Sequence, residues 1–164
     1  MGAATLRTEA RRTLRTPVGV LRVTATERGV VSVERVSRAG AAELPKASPR
    51  ATHHADMAVR QLREYFAGRR TTFTVRLDME GTDFQLRAWK AMRKIRYGST
   101  MSYAQQAASM GAPSAVRAVG SANGANPIPI IVPCHRVIAS DGSLGGYALG
   151  LGMKRALLAL ERRH

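Results

Sequence analysis

Residues 126–137 read NPIPIIVPCHRV and contain Cys134, the single cysteine of the chain. Pro127 and Pro129 can neither continue a helix nor lie in the centre of a sheet, so this segment is predicted to be an irregular strap. Its apolar run, 130–132, is predicted to be buried. Because a cysteine attacks carbon as the thiolate, a base must lie close to Cys134 and take its proton.

The next residue, His135, is the candidate base. Neighbours on an extended strand point to opposite faces, so His135 can serve Cys134 only if the chain turns here or a water bridges them. A helix that began at Cys134 would also lower the pKa of the thiol. A carboxylate strengthens a histidine base. Glu161 lies on or beside the apolar stripe of the last predicted helix. It has two open alternatives, a bond to His135 or an ion pair with Lys154 or an arginine.

The chain carries 26 Lys and Arg residues against 11 Asp and Glu, a formal net charge of +15. This charge indicates a polyanionic partner, usually nucleic acid, with solubility or an arginine-favouring genome as the alternative. From residue 84 onward, 11 basic residues meet two acids, Asp141 and Glu161. We therefore expect a nucleic-acid contact in the C-terminal half.

The composition also excludes several classes of protein. One cysteine cannot form an internal disulfide or a multi-cysteine zinc site. No run of about 18 apolar residues occurs, so no membrane contact is predicted. Residues 1–15 lack the apolar core of a secretory signal and are interpreted as a basic arm. These features predict a cytoplasmic protein, associated with the nucleoid if it is bacterial.

The N-terminal half is predicted to be a small α/β layer, residues 1–80. Alternating apolar residues indicate a β-hairpin, and helical spacing ends at Gly68. The hairpin is predicted at residues 18–26 and 30–36, followed by a loop at 37–52. A helix is predicted at 54–67 and a further strand at 71–77. His53 and His54 are interpreted as surface residues, since a metal site would need further ligands nearby.

The C-terminal half, residues 81–164, is predicted to be mainly helical. Its predicted helices cover residues 84–95, 102–110, 113–123 and 151–161. Trp89 is assigned to the core, and Ala156, Leu157 and Leu160 are expected to face inward. Two short helices around a glycine turn, with Pro113 in the first turn of the second, form a helix-turn-helix candidate. The second helix carries one charge, Arg117, among small residues that allow close approach to another backbone or a DNA groove.

The strap, with its PCHRV sequence, resembles the active-site signature of the O6-alkylguanine-DNA alkyltransferases, the methylated-DNA–protein-cysteine methyltransferases. The match includes further segments on both sides: Tyr97-Gly98, Ser102-Tyr103, residues 115–120, Gly146-Tyr147, Lys154 and residues 157–161. It is strong from Gly81 onward, about half of the chain, and extends to the N-terminal half only in pattern. The resemblance implies a ribonuclease-H-like α/β N-terminal domain, with a small antiparallel sheet and a helix, and a mainly α C-terminal domain with the helix-turn-helix.

The resemblance also implies the activity. It is direct-reversal DNA repair, in which the alkyl group of O6-alkylguanine, and of O4-alkylthymine, passes irreversibly to Cys134 in a single turnover. The helix-turn-helix enters the minor groove of double-stranded DNA, and the alkylated base is flipped out because it cannot be attacked within the duplex. No cofactor and no metal are implied. A monomer is expected, with cooperative binding along DNA as an open question.

Residue roles follow from the same resemblance. Cys134 is the acceptor, His135 is its base through a water, and Glu161 orients His135. Asn126 is the hinge that braces the site, and Tyr103 lies near the flipped nucleotide and donates a proton to the leaving guanine. The DNA-binding residues are implied to be Arg117, as a finger in the base stack, with Tyr103, Ser114, Ala118, Gly120 and Arg136. The substrate pocket is implied to comprise Val137, Tyr147, Ala148 and Leu149.

One pocket position departs from the family, because Leu149 replaces a common glycine and could restrict bulky adducts. Relatives with tryptophan in place of the cysteine only bind lesions, so Cys134 favours transfer. Two other functions remain as alternatives: a lesion-binding module without transfer, and a cysteine hydrolase, which would need an oxyanion hole. A buried, inert Cys134 is the alternative to any of these functions.

Overall fold

The computed structural model describes residues 9–37 and 47–163. The chain divides into two compact units between Met79 and Glu80. Residues 1–8 of the predicted basic arm and residues 38–46 of the predicted loop lie outside the described residues. Within the described part, no helix has both the length and the apolar character needed to cross a membrane.

The N-terminal unit is a three-stranded antiparallel sheet covered by one long helix. The strands β1 (Ala10–Thr16), β2 (Gly19–Ala25) and β3 (Val30–Val36) lie in the order β1-β2-β3, and helix α1 spans Pro49–Phe66. The predicted hairpin is confirmed as β2 and β3. The interpretation of residues 1–15 as an arm is wrong for residues 10–15, because they belong to strand β1, which pairs with β2 along its whole length.

Two further predictions in this unit need correction. Helix α1 begins five residues before the predicted start, because Ser48 caps it and a proline occupies its first turn. The strand predicted at residues 71–77 is wrong except for a single bridge between Leu77 and Val30. Its backbone is satisfied elsewhere, since the amide of Thr74 donates to the side chain of Gln61 at 3.0 Å.

The C-terminal unit is mainly helical. In chain order its elements are α2 (Asp83–Arg93), β4 (Met101–Ser102), α3 (Tyr103–Ser109), α4 (Val116–Gly124), a 3-10 turn (Cys134–Arg136), β5 (Val137–Ile138) and α5 (Leu151–Arg163). Thr82 and Ser102 begin α2 and α3 with complete capping boxes. The short strands β4 and β5 pair in parallel, so the start of α3 lies beside the segment that follows Cys134.

The helix-turn-helix consists of α3 and α4, packed on α2. Trp89 is 2% exposed, as the core assignment requires, and its Nε1 donates to the carbonyl of Ala122 at 2.8 Å. The side-chain amides of Gln106 and Asn123 exchange two hydrogen bonds, of 3.0 and 2.8 Å, between the two helices. These contacts fix the position of α4 on the unit.

Two details of these helices differ from the sequence prediction. Pro113 lies in the turn before α4, which begins only at Val116, so it is not a first-turn residue. On α5, Ala156 is exposed and Leu160 is half-buried. The buried face of α5 instead contains Met153, Lys154, Leu157, Leu158 and Glu161. This face includes a lysine and a glutamate, so hydrophobic spacing alone does not identify it.

Candidate active site

A cavity of about 420 Å³ opens in the C-terminal unit with Cys134 in its wall. Helices α3 and α4 form one side of it, and the loop before α5 forms the other. Its lining residues are Tyr103, Val116, Arg117, Gly120, Asn123, Gly124, Cys134, Gly146, Tyr147 and Ala148. Cys134 is partly accessible, so a ligand in the cavity can reach the sulfur. The cavity is within the usual size range of small-molecule sites.

The position of Cys134 is fixed by bonds between the side chain of Asn126 and the backbone of the strap. Asn126 is 8% exposed; its Nδ2 donates to the carbonyl of Val132 at 2.9 Å, and its Oδ1 accepts from the amide of Ile128 at 2.9 Å. Ile130 has a φ of 75°, in the left-handed region that β-branched residues rarely adopt. The chain then turns at Cys134 into the 3-10 turn, so the bend that the sequence required is present.

His135 and Glu161 meet in the interior, 0% and 3% exposed. Nε2 of His135 lies 2.6 Å from Oε2 of Glu161. A carboxylate can only accept, so Nε2 carries the hydrogen and Nδ1 is left with its lone pair. Among the described residues, none forms a hydrogen bond with Nδ1. The imidazole is therefore in the tautomer of a base, oriented by a carboxylate on its opposite nitrogen.

Arg136 is not available to DNA, and its assignment as a DNA-binding residue is wrong. It is 6% exposed. Its Nε and Nη2 donate to the two oxygens of Glu161 at 2.8 and 3.1 Å, and Nη1 donates to the carbonyl of Ile95 at 2.8 Å. Both alternatives for Glu161 thus hold together: it bonds to His135 and forms an ion pair with an arginine, although Lys154 is not its partner.

Lys154 is a buried residue of the site, and the sequence analysis assigned it no role there. Its Nζ donates to three carbonyls, those of Val137 at 2.7 Å, Leu144, and Gly146 at 3.1 Å. The ammonium thereby ties the loop that lines the cavity to strand β5. The same charge lowers the pKa of Cys134, so it favours the thiolate. The available signal was a lysine on the inward face of the last helix, a position that requires a partner.

Electrostatics at the sulfur have two opposing parts. Burial raises the pKa of the Cys134 thiol above its ordinary value, and the Asn126 amide, the Lys154 charge and the Tyr147 hydroxyl lower it in part. The pKa of the thiol is therefore raised in net, and a helix start at Cys134 would act in the opposite direction. The 3-10 turn has only three residues, and the loss of solvation outweighs it.

The imidazole of His135 and the phenols of Tyr103 and Tyr147 are held neutral. Burial lowers the pKa of His135, although Glu161 raises it in part, so the imidazole is held as an acceptor. Burial, and then the charge of Cys134, raise the pKa of both Tyr103 and Tyr147. Both phenols are therefore proton donors at neutral pH. A buried acceptor thus adjoins the nucleophile, and phenol donors line the cavity.

The remaining predicted site residues divide into two groups. Arg117 and Gly120 on α4 line the cavity together with Tyr103, Tyr147 and Ala148, whereas Ser114 and Ala118 are exposed outside it. Val137 and Leu149 do not line this cavity, so their assignment to the substrate pocket stays a prediction. Val137 is fully buried in β5 with its carbonyl on Lys154, and a turn closed from Gly150 to Tyr147 contains Leu149.

Within residues 9–37 and 47–163, no group of three or more His, Cys, Asp or Glu side chains is arranged to hold a metal ion. His53 is exposed and His54 half-buried, with its Nε2 3.2 Å from the carbonyl of Glu27. These two histidines therefore lie at the surface, as the sequence interpretation had them.

Comparison with known proteins identifies both units. Residues 83–163 match the family model of the 6-O-methylguanine DNA methyltransferase DNA-binding domain, and residues 10–79 match that of its ribonuclease-like domain. The methylated-DNA–protein-cysteine methyltransferase of Mycolicibacterium paratuberculosis is 46% identical over 93% of this chain and 92% of its own length. That of Methanosarcina barkeri is 43% identical over 92% and 96%.

Solved structures agree in fold. The crystal structure of the Mycobacterium tuberculosis O6-methylguanine methyltransferase has a TM-score of 0.80 and 45% identity, covering 94% of this chain and 93% of its own. The same organism's protein in complex with DNA has a TM-score of 0.82 and 46% identity, covering 93% and 92%. The chain therefore belongs to the 6-O-methylguanine DNA methyltransferase family.

Proposed function

We propose that the chain repairs double-stranded DNA by moving the alkyl group of O6-alkylguanine onto Cys134. The observation that carries the proposal is an accessible thiol in the wall of a 420 Å³ cavity next to the helix-turn-helix. A flipped purine fits a cavity of this size, and Arg117 of α4 is one of its exposed lining residues. The positive C-terminal half supplies the attraction to phosphate.

Delivery of the base depends on α4 in this proposal. The helix exposes small residues, Ala118 and Ser121 among them, so it can approach the minor groove closely. Arg117 is exposed and enters the space that the flipped nucleotide leaves in the stack. O4-alkylthymine places its alkyl group on a comparable exocyclic oxygen and is proposed as a second substrate. The protein acts as a monomer on this DNA, in the cytoplasm.

The reaction is a substitution at the alkyl carbon. His135 takes the thiol proton of Cys134 through a water, and Glu161 stabilises the imidazolium that forms. The thiolate then forms the S–C bond while the C–O6 bond breaks, and the electron pair goes to guanine. Tyr103 donates its proton to the leaving guanine, and the proton held on His135 restores the phenol through solvent. The products are neutral guanine and a thioether.

A thioether has no leaving route comparable to that of a thioester, because it offers no carbonyl carbon to water. The transfer is therefore irreversible, and each molecule acts once. The test is a titration of an O6-methylguanine duplex against a fixed amount of protein, read by intact mass. We expect a gain of one methyl group at Cys134, at most one repaired base per chain, and no transfer by Cys134→Ser. Several repaired bases per chain would refute the mechanism, and tight lesion binding without transfer would indicate a lesion-binding module.

A further inference from the structure

Arg136 occupies the interior of the site without touching the cavity. Three of its nitrogens are used by Glu161 and by the carbonyl of Ile95, all within 3.1 Å. Its guanidinium carbon also lies 5.7 Å from the centre of the Tyr97 ring. A buried cation held so completely can act only on its neighbours, and its main neighbour is the carboxylate that orients the base.

His135 and Arg136 share that carboxylate. Oε2 of Glu161 receives both Nε2 of His135, at 2.6 Å, and Nη2 of Arg136, at 3.1 Å. Oε1 receives Nε of Arg136 at 2.8 Å and the backbone amide of Gly98 at 3.3 Å. A buried carboxylate with no other cation would draw a proton onto the imidazole, whereas one already paired with a guanidinium does so less.

The protonation state of the imidazole decides whether it can act. A protonated His135 has a hydrogen on both ring nitrogens and cannot accept the proton of Cys134. The base must therefore be oriented by Glu161 without being charged by it. A second cation on the same carboxylate meets both conditions, since it leaves the hydrogen bond in place and offsets the negative charge.

We propose that Arg136 is a positioning residue that neutralises Glu161 and thereby keeps His135 an uncharged acceptor for the Cys134 proton. The inference rests on the proposed function. Among the described residues, the other ionisable groups around the pair are Lys154 on α5, Cys134 on the same 3-10 turn, Tyr97 after α2, and Tyr147 in the loop before α5. Burial lowers the pKa of His135 most, and Glu161 raises it. The charges of Arg136 and Lys154 lower it further.

The experiment is a titration of the histidine rings by ¹⁵N NMR in the full chain without DNA. The chain has four histidines, and His135→Asn assigns the signal. The variants are Arg136→Met, which removes the charge, and Arg136→Lys, which keeps a charge without the fork. Arg155→Met is the matched control, because Arg155 is exposed on α5. We expect Arg136→Met to raise the pKa of His135 by on the order of 1 unit or more. In Arg136→Lys the pKa of His135 should stay close to its value in the unsubstituted protein, and in Arg155→Met it should be unchanged.

An unchanged His135 titration in a folded Arg136→Met variant would overturn the proposal and leave Arg136 as a packing anchor. If that variant does not fold, Arg136→Gln is the second variant, because its amide keeps a hydrogen-bond donor beside Glu161 without a charge. It should likewise raise the pKa of His135, and an unchanged titration would overturn the proposal. Because no substrate is used, this result is independent of the transfer assay.

Discussion

Replacing Glu161 with glutamine should damage both the stability and the chemistry of the C-terminal unit. Each carboxylate oxygen faces two N–H donors: Oε1 faces Arg136 and Gly98, and Oε2 faces His135 and Arg136. Glutamine supplies one oxygen and one NH₂ group, so either orientation of the amide directs a donor at the guanidinium. The substitution also leaves that buried cation without its counter-ion.

The size of the effect follows from this geometry. Removing one partner of a buried ion pair costs about 3–5 kcal/mol of the free energy of unfolding. For a chain of this length, that corresponds to a fall in Tm of roughly 10 °C. The matched control is Glu34→Gln, because Glu34 also bonds to an arginine at 2.8 Å but is 51% exposed. Its loss should change the free energy of unfolding by about 1 kcal/mol or less.

The chemical effect has a defined sign. Without the carboxylate, the imidazolium that receives the Cys134 proton loses its stabilising anion, so the apparent pKa of the thiol should rise. Urea denaturation measures the stability, and the pH dependence of alkylation by iodoacetamide measures the thiol. A Glu161→Gln protein as stable as the Glu34→Gln control, with an unshifted alkylation profile, would refute the assignment of Glu161.

Three other outcomes are expected. Arg117→Ala should slow repair of duplex DNA far more than reaction with free O6-benzylguanine, and equal losses would make Arg117 a folding residue. Affinity for DNA should fall steeply as the salt concentration rises, because phosphate contacts release counter-ions. Binding that stays constant between about 50 and about 200 mM salt would contradict the electrostatic contact. Burial lowers the pKa of His135 below its ordinary 6.5, so between the two values the unfolded chain binds the extra proton. The free energy of unfolding should therefore fall as pH drops below about 6.5, and a dependence that persists unchanged in His135→Asn would contradict this assignment.

Local chemistry made much of the fold predictable. The alternation in β2 and β3 and the apolar face around Trp89 are both properties of short segments. Strand β1 was missed because three arginines interrupt its apolar positions, and its stability comes from pairing with β2. Segment 71–77 has the composition of a strand, but the side chain of Gln61 satisfies part of its backbone instead.

Some residues of the site could likewise be predicted from the sequence, and others could not. Cys134 and His135 adjoin in sequence, and the position of Glu161 beside an apolar stripe pointed to a buried partner. Arg136 was placed on DNA because its segment is basic, and the carboxylate that holds it is 25 residues away along the chain. Lys154 binds three carbonyls of a loop whose path no sequence pattern specifies. Contacts between distant segments decide which positive charges face DNA and which face inward.

The left-handed backbone at Ile130 limits how this protein could be made more stable. A non-glycine residue in such a conformation costs on the order of 1–3 kcal/mol, and glycine is the usual remedy. Here the side chain of Ile130 is 0% exposed, so its removal would lose about 2–5 kcal/mol of packing, as for truncation to alanine. Selection for thermostability should therefore leave Ile130 in place and accumulate changes in other segments, so that the strap next to Cys134 is inherited with its strain.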